Sequence, residues 1–345
     1  MRPKLALVGC GKIGQKHLQA LVHSNIAELV ATVDVDIERA RAAAVPFDAR
    51  SYPSLESLLA LEPIDAVIIA TPSGTHRSLT EMALRRGLHV MVEKPLALSG
   101  QDATAMVELA RQKGRVLTVT QFNRLLPAVS HAIHAYKDGR LGRILEGGVS
   151  VRWARPQAYY DQAPWRGTRA MDGGVLFNQA IHALDVLLQF VDPVVEVFAY
   201  AATLTHKIEA EDTVAGVMRT RSGALLTVNA TTSVAETNLE ERVVVVGETG
   251  ALAIGPTPQQ LEFWRVPGDD EALTRQTLAE RPARPGWQSH LEALTDFVNA
   301  IVEGLPSQLT GASAIPVIRV IEAFIQSAMN HRPISLEEGQ AANGV

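Results

Sequence analysis

The sequence predicts an α/β protein in two parts: a doubly wound parallel sheet, followed by an α+β domain built on a mostly antiparallel open sheet. In the first third of the chain, short apolar runs alternate with longer amphipathic segments, as expected of parallel strands covered by helices on both faces. After about residue 123, a series of strand-like runs precedes two closing helical segments, which is typical of an α+β domain. The 345 residues suffice for two domains. We expect these domains to be residues 1–122 and 123–345.

The strands of the first domain are apolar along their whole length, so both of their faces should be buried. The predicted strands are 5–8, 29–33, 66–70, 88–92 and 116–119. The predicted helices are 12–24, 36–44, 76–86 and 99–113. Because helical segments separate the successive strands, the strands should run parallel.

The second domain should begin with a helix that ends at Tyr136. Strand-like runs follow at 144–153, 194–201, 213–219, 224–232, 242–246, 251–254 and 260–266. Helical patterns cover 174–190, 288–303 and 311–330. The segment 267–287 is polar and rich in Pro and Gly, and we expect a long loop there.

The composition excludes several classes of protein. With 47% hydrophobic residues and ordinary Gly and Pro usage, the chain is neither disordered nor fibrous. Its net charge of −5, without a basic tract, argues against nucleic acid or an anionic membrane surface as a partner. The single cysteine, Cys10, excludes an internal disulfide and indicates a reducing compartment. Since the N-terminal residues lack a signal-peptide pattern and no long apolar run is present, we expect a soluble cytoplasmic protein.

A glycine-rich turn with the pattern GxGxxG follows the first strand and directly precedes a helix. Its first glycine permits the tight turn, its second lets a pyrophosphate approach the backbone, and its third lets helix and strand pack closely. Asp34 ends the second strand, where its carboxylate would accept hydrogen bonds from an adenosine ribose and repel a 2′-phosphate. The first domain is therefore predicted to be a Rossmann domain that binds NAD in preference to NADP. The turn residues concerned are Gly9, Gly11, Lys12, Ile13 and Gly14.

Two further strand ends place polar residues at the same edge of the sheet. Thr71, Pro72 and His76 follow the third strand, where they should wall the cofactor site or merely connect strand and helix. Glu93 and Lys94 follow the next strand. The Lys94 ammonium could stabilise a developing alkoxide in the crevice, whereas the alternative is an ordinary solvated lysine.

The helical segment 174–190 carries a polar stripe beside an apolar one. Asn178, His182 and Asp185 recur at helical spacing, so their side chains can touch. A histidine held by an acid can accept the proton of a hydroxyl group. The alternative is a polar flank that packs at a domain surface. The spacing matches no established zinc motif, and no metal is expected.

Cations and aromatic side chains concentrate between residues 152 and 169. Arginine forks bind carboxylate or phosphate bidentately, and aromatic rings stack on sugars or a base. The segment is therefore a candidate site for an anionic sugar, the alternative being a surface loop with ordinary arginines. Asn123 and Arg124 are further candidates for ligand contacts. The clustered residues are Arg152, Trp153, Arg155, Tyr159, Tyr160, Trp165, Arg166 and Arg169.

Taken together, the glycine turn, ATPSGTH at 70–76, VEKP at 92–95 and GGVLFNQAIHALD at 173–185 resemble the Gfo/Idh/MocA oxidoreductases in order and spacing. The resemblance covers essentially the whole chain. It implies hydride transfer at a carbohydrate-like hydroxyl with Lys94 and His182 as the catalytic pair. It also implies a homodimer or homotetramer formed through the second domain's sheet.

The resemblance also implies binding roles for residues across the chain. For NAD they are Gly9, Gly11, Lys12, Ile13, Gly14, Asp34, Thr71, Pro72, His76, Glu93, Lys94, Gln121, Trp165 and Arg166. For the substrate they are Lys94, Asn123, Arg155, Tyr160, Arg166, Asn178 and His182.

One position departs from many members of the family. Inositol dehydrogenases carry Asp four residues before the histidine, where this chain has Asn178, which can orient a group but cannot relay a proton as an acid. At Asn178 and in YYDQAPWRGT at 159–168, the sequence resembles bacterial nucleotide-sugar dehydrogenases. Those enzymes oxidise the 3-hydroxyl of UDP-N-acetylglucosaminuronate. The alternatives are a keto-sugar reductase, an inositol or free-sugar dehydrogenase, an NAD-dependent glycosidase, and a non-catalytic NAD-binding regulator.

Overall fold

The computed structural model describes residues 2–279 and 285–336 of the chain. It divides into two compact units. Unit 1 comprises Met1–Leu125 and Ala283–Ile315, and unit 2 comprises Leu126–Pro282 and Pro316–Val345.

The element bounds follow the chain order. The strands are β1 Lys4–Val8, β2 Glu28–Val33, β3 Arg50–Tyr52, β4 Ala66–Ile69, β5 His89–Val92, β6 Leu117–Val119, β7 Ile144–Arg152, β8 Val194–Ala202, β9 Thr213–Thr220, β10 Leu225–Thr231, β11 Glu240–Gly247, β12 Ala251–Ile254, β13 Leu261–Arg265 and β14 Ile334–Ser335. The α-helices are α1 Lys12–Val22, α2 Ile37–Ala44, α3 Leu55–Leu59, α4 His76–Arg85, α5 Gly100–Lys113, α6 Pro127–Lys137, α7 Gln157–Tyr160, α8 Ile181–Leu187, α9 Glu271–Ala279, α10 Gln288–Val302 and α11 Gly311–Asn330.

Unit 1 is built on a parallel sheet with the strand order β3-β2-β1-β4-β5-β6. The apolar strands pack between helices, and Leu5, Leu7 and Ile68 are fully buried. The strand order reverses between β1 and β4, which is where open α/β sheets bind ligands beyond the carboxyl ends of their strands. The doubly wound parallel sheet is therefore confirmed.

Helix α10 packs in the core of unit 1, although the expected division places it in the second domain. Its buried residues Leu294 and Phe297 belong to the same hydrophobic cluster as Leu5 and Leu18. The sequence shows that α10 is amphipathic but does not show which sheet its apolar face covers.

Unit 2 is built on an eight-stranded sheet with the order β13-β12-β11-β7-β10-β9-β8-β14. Among the described strand pairs of this sheet, only β7–β10 is parallel, so the predicted mostly antiparallel sheet is confirmed. Phe190, Trp264 and Phe324 are fully buried in this unit.

Three local features differ from the sequence expectations. Strand β3 and helix α3 are too short for their periodicity to mark them. The segment 267–287 is not one long loop, because it contains α9. In the segment 174–190, residues Leu176–Ala180 form a π-helical turn before α8 begins.

Among the described residues, α11 alone is long and apolar enough to cross a membrane by length and composition. Val317, Ile321 and Phe324 of this helix are buried in unit 2. Such burial is typical of the core helix of a globular domain.

Candidate functional site

The glycine turn between β1 and α1 has no room for side chains at its first and last glycines. Gly9 has φ +94°, and its N–H donates to the Val33 carbonyl at 2.8 Å. An added Cβ at Gly14 would lie 2.1 Å from the Gly9 carbonyl oxygen. Both glycines therefore serve the close packing of the turn against the sheet and helix.

Gly11 differs, because an added Cβ there would meet no atom within 4 Å. It precedes α1, and no side chain caps the first N–H groups of that helix. After β6, the Nε2 of Gln121 is buried within unit 1 and has no hydrogen-bond partner among the described residues. Uncapped N–H groups, open space and a donor without a partner fit the pyrophosphate and amide groups of a dinucleotide.

Asp34 is buried and braces the glycine turn. Its Oδ2 accepts the Cys10 N–H at 2.9 Å, and its Oδ1 accepts the Asp36 N–H at 2.9 Å. Burial, and then the charge of Asp34, raise the pKa of the Cys10 thiol to about 12, so this cysteine is unreactive. Arg39, which sequence reasoning missed, lies 3.4 Å from Oδ1 of Asp34.

The loop after β4 is held to the segment after β5 by His76. Its Nδ1 lies 2.7 Å from the Pro95 carbonyl oxygen, and its Nε2 lies 3.0 Å from that of Thr71. Burial lowers the pKa of His76, and the hydrogen bonds to the Pro95 and Thr71 carbonyl groups oppose this shift. Pro72 is half-buried in this loop, whereas the His76 side chain is buried.

Lys94 lies directly after β5 and is half-buried. Its backbone N–H donates to Oγ1 of Thr120 at 3.1 Å. Glu93 is buried, with its Oε1 2.8 Å from Nε2 of His17 on α1. Burial alone would raise the pKa of Glu93, but hydrogen bonds from His17 and Thr120 and the charge of nearby His290 hold it at about 2. Glu93 is thus an ionised carboxylate inside unit 1.

His17, Glu93 and His290 form the one group of possible metal ligands that the described residues bring together, with ligand atoms within 4.8 Å of one another. The Nδ1 of His17 is buried and has no hydrogen-bond partner. A metal-ligating histidine normally donates its second ring N–H to an oxygen. The geometry therefore fits a hydrogen-bonded cluster better than a metal centre.

In unit 2, Asn178 lies in the π-helical turn and His182 lies in α8, both half-buried. Such π-helical turns are frequent at functional sites. The Asn178 amide donates to Oδ1 of Asp172, a buried residue whose Oδ2 accepts the Gly167 N–H at 2.7 Å. An acid therefore accompanies Asn178 from outside the predicted stripe, where helical spacing could not reveal it.

Glu211 lies against the start of the same helical segment. Its Oε1 accepts the Leu176 N–H at 3.4 Å, and an added Cβ on Gly174 would meet that oxygen at 2.3 Å. Because Glu211 is only 9% exposed, burial raises the pKa of its carboxyl to about 7. No sequence pattern marks this residue.

Arg155 and Arg166 lie over the same aromatic ring. Their guanidinium carbons are 5.4 and 4.4 Å from the Tyr159 centroid, and Trp153 and Trp165 lie 4.7 and 4.6 Å from Arg155 and Arg166, respectively. No carboxylate of the described chain lies within ion-pair distance of either arginine. The Nε of Arg166 is buried and has no hydrogen-bond partner. The pair can therefore bind an anion.

The buried pair His206 and Asp212 contacts the backbone of Arg155. His206 Nδ1 lies 2.9 Å from Asp212 Oδ2, and its Nε2 lies 2.6 Å from the Arg155 carbonyl oxygen. The Tyr160 ring packs 4.8 Å from the His206 ring, and its hydroxyl bonds to Thr232. Burial raises the pKa of Tyr160 to about 12, so Tyr160 is un-ionised and can only donate or accept a hydrogen bond.

The remaining sequence candidates divide into exposed and structural residues. Lys12 and Ile13 are exposed at the start of α1, and Asn123 is buried in the 3₁₀ turn Phe122–Leu125. Arg124 donates to the hydroxyl and carbonyl of Ser313, which assigns it to the fold of unit 1. Arg152 pairs with Glu240, so its charge is already matched.

Two family models match the chain. Residues 4–121 match the oxidoreductase family with an NAD-binding Rossmann fold, and residues 129–253 match the GFO/IDH/MocA C-terminal domain. The UDP-N-acetylglucosamine 3-dehydrogenase of Acidithiobacillus ferrooxidans is 27% identical over 94% of this chain and 98% of its own length. The D-apiose dehydrogenase of Paraburkholderia graminis is 29% identical over 99% and 91%.

Among solved structures, the WlbA dehydrogenase of Bordetella pertussis, in complex with NADH and UDP-GlcNAcA, is similar with a TM-score of 0.91. It is 32% identical, over 98% of this chain and 99% of that chain. The corresponding Chromobacterium violaceum complex has a TM-score of 0.90 at 33% identity, over 98% and 97%.

The crowded Gly14 and the open Gly11 predict separable effects on stability and on cofactor binding. Gly14→Ala should lower the melting temperature, because its Cβ collides with the Gly9 carbonyl. Gly11→Ala should leave the melting temperature unchanged and weaken NAD binding at least about tenfold, or ~1.4 kcal/mol, because its methyl group enters the open space. Thermal unfolding and NAD titration measure the two effects. Wild-type NAD affinity in Gly11→Ala would contradict this account of the turn.

The raised pKa of Glu211 predicts a stability that depends on pH. Between its unfolded value of 4.5 and its folded value of about 7, the unfolded chain loses a proton that the folded chain keeps. The free energy of unfolding should therefore fall with rising pH, by about 3 kcal/mol in all. Glu211→Gln should abolish this loss and be more stable than the wild type at about pH 8.

Denaturant unfolding at about pH 5 and about pH 8 makes the comparison. Glu209→Gln, at an exposed carboxylate two residues earlier, is the matched control. Equal pH dependence in Glu211→Gln and the wild type would show that Glu211 is ionised in the folded protein across this range.

Proposed function

Since the chain belongs to the GFO/IDH/MocA family of oxidoreductases, we propose that it oxidises C3 of a nucleotide-linked amino-sugar uronate of the UDP-N-acetylglucosaminuronate type. Membership confirms the family expected from the motifs and makes the chain a dehydrogenase of sugar-like alcohols with an NAD-binding Rossmann domain. NAD supplies the acceptor for the hydride. The identity of the sugar is the part that we propose.

The observation that carries the proposal is the pair Arg155 and Arg166, stacked on Tyr159 with no carboxylate partner in the described chain. A neutral free sugar or inositol offers hydroxyl acceptors but no negative charge to two guanidinium groups. A nucleotide-sugar uronate offers a diphosphate and a carboxylate, which arginine binds through paired hydrogen bonds. The surrounding rings can stack on a sugar or a base.

We assign the proton transfer to His182 and the stabilisation of the forming carbonyl oxygen to Lys94. An imidazole can accept the hydroxyl proton, and an ammonium group can donate a hydrogen bond to the oxygen as negative charge develops on it. Asn178, fixed by Asp172, orients a neighbouring hydroxyl and does not relay a proton. Apart from Glu93, the other substrate-binding and cofactor-binding residues expected from the resemblance keep those roles in the proposal.

The protein is further proposed to act as a cytoplasmic homo-oligomer without nucleic acid or membrane partners. Residues on one face of the unit 2 sheet, including Tyr200, Val217 and Leu225, are more than half exposed. Exposed apolar side chains on a sheet face suit pairing with a second copy. Sedimentation velocity should show a dimer or tetramer, and a monomer at all concentrations would exclude this assembly.

A substrate panel with NAD distinguishes the candidate activities. We expect NADH formation from UDP-N-acetylglucosaminuronate and much slower formation from UDP-N-acetylglucosamine, D-apiose and myo-inositol. Preference for a neutral sugar would indicate the free-sugar dehydrogenase alternative. Turnover only from a keto-sugar with NADH or NADPH would indicate the reductase, and inactivity on the whole panel would favour a regulatory role.

Two substitutions test the residue roles. Lys94→Ala and His182→Asn should each lower kcat by about 10²–10⁴-fold, the usual contribution of a proton-transfer or oxyanion-stabilising group, and leave the Kd for NAD unchanged. The exposed residues His134 and Lys137 supply the matched controls His134→Asn and Lys137→Ala, which should retain wild-type turnover. Near-normal turnover in either test variant would refute its assigned role.

A further inference from the structure

The backbone of Lys94 is held by a chain of buried polar side chains. Its N–H donates to Oγ1 of Thr120 at 3.1 Å, and the Thr120 hydroxyl in turn bonds to the Glu93 carboxylate. Glu93 accepts a further hydrogen bond from His17 at 2.8 Å. His17 and Thr120 are fully buried, and Glu93 is 7% exposed.

This chain of contacts joins three elements of unit 1. His17 lies on α1, the helix that begins at the glycine turn, while Glu93 follows β5 and Thr120 follows β6. His290 of α10 lies 3.9 Å from the same Glu93 oxygen and edge-on to the His17 ring. The second turn of α1 is thereby connected to the residue before Lys94.

An unpartnered carboxylate is too costly to bury, so the position of Glu93 depends on its donors. Thr120 is the one of these donors that also accepts the Lys94 N–H. A shift of Glu93 would therefore displace Thr120 and, with it, the backbone from which the Lys94 side chain extends.

We propose that Thr120, Glu93 and His17 act as positioning residues that set the location of Lys94 relative to the glycine turn. This inference rests on the proposed function, in which Lys94 acts on the substrate oxygen. It gives Glu93 a positioning role in place of the direct cofactor contact that the family resemblance implies. Small errors of position are expensive in catalysis, since a displacement of about 1 Å can cost about 10²-fold in rate.

The test compares Thr120→Val with Thr120→Ser. Valine removes the hydroxyl at nearly the same shape, and serine retains it. Thr80→Val is the matched control, because Thr80 is also fully buried in unit 1 but its hydroxyl has no hydrogen-bond partner. Each protein is saturated with NAD and assayed with UDP-N-acetylglucosaminuronate, and hydrogen exchange of the Lys94 amide is measured by mass spectrometry.

Thr120→Val should lose about 10- to 100-fold in kcat, with KM and the Kd for NAD changed by less than about threefold, and should exchange the Lys94 amide faster. Thr120→Ser should restore both properties, and Thr80→Val should match the wild type in both. Wild-type kcat or unchanged exchange in Thr120→Val would overturn the proposal, as would parallel losses in kcat, KM and melting temperature that serine does not restore.

The exchange measurement separates this inference from the proposed function. If the wild type does not oxidise the probe, the proposed substrate is wrong, and faster Lys94 exchange in Thr120→Val still supports the positioning contact. If Thr120→Val does not fold, Glu93→Gln takes its place. A fall in kcat at constant Kd for NAD then supports positioning, whereas a rise in that Kd with constant kcat identifies Glu93 as a cofactor ligand and overturns the proposal.

Discussion

An ionised carboxylate inside unit 1 must be surrounded by donors, and Glu93 meets this requirement with groups from three elements. His17 comes from α1 and Thr120 from the end of β6, with His290 of α10 nearby. The apolar residues of α10, including Leu294 and Phe297, pack in the core of unit 1, and this packing places His290 3.9 Å from Glu93. The requirement also places Lys94, which follows Glu93, at a defined point of the sheet edge.

Most of the fold could be predicted from the sequence, because apolar runs and glycine spacing are local signals. The parallel sheet, the glycine turn with Asp34 and the position of Lys94 after β5 all follow from residues that are adjacent or regularly spaced. Contacts over long separations could not be predicted in this way. His17 and Glu93 are 76 residues apart in the chain, and Asn178, which contacts Asp172, lies in a π-helical turn that no amphipathic pattern predicts.

The net charge of −5 says little about the ligand, because a ligand anion binds to individual cationic side chains that have no carboxylate partner. Arg152 is matched by Glu240, whereas Arg155 and Arg166 rest on aromatic rings without a carboxylate in the described chain. The sequence placed these arginines in one cluster but could not say which of them pair. Only the structure separates the arginine that supports the sheet from those that can receive an anion.

In the proposed reaction, hydride leaves C3 of a nucleotide-linked amino-sugar uronate and reaches NAD. UDP-N-acetylglucosaminuronate carrying deuterium at C3 tests this most directly when it is incubated with the wild-type protein and NAD. The account predicts deuterium in the NADH formed and a slower rate than with the unlabelled sugar if hydride transfer limits turnover. NADH without deuterium would place the oxidation at another carbon and contradict the account.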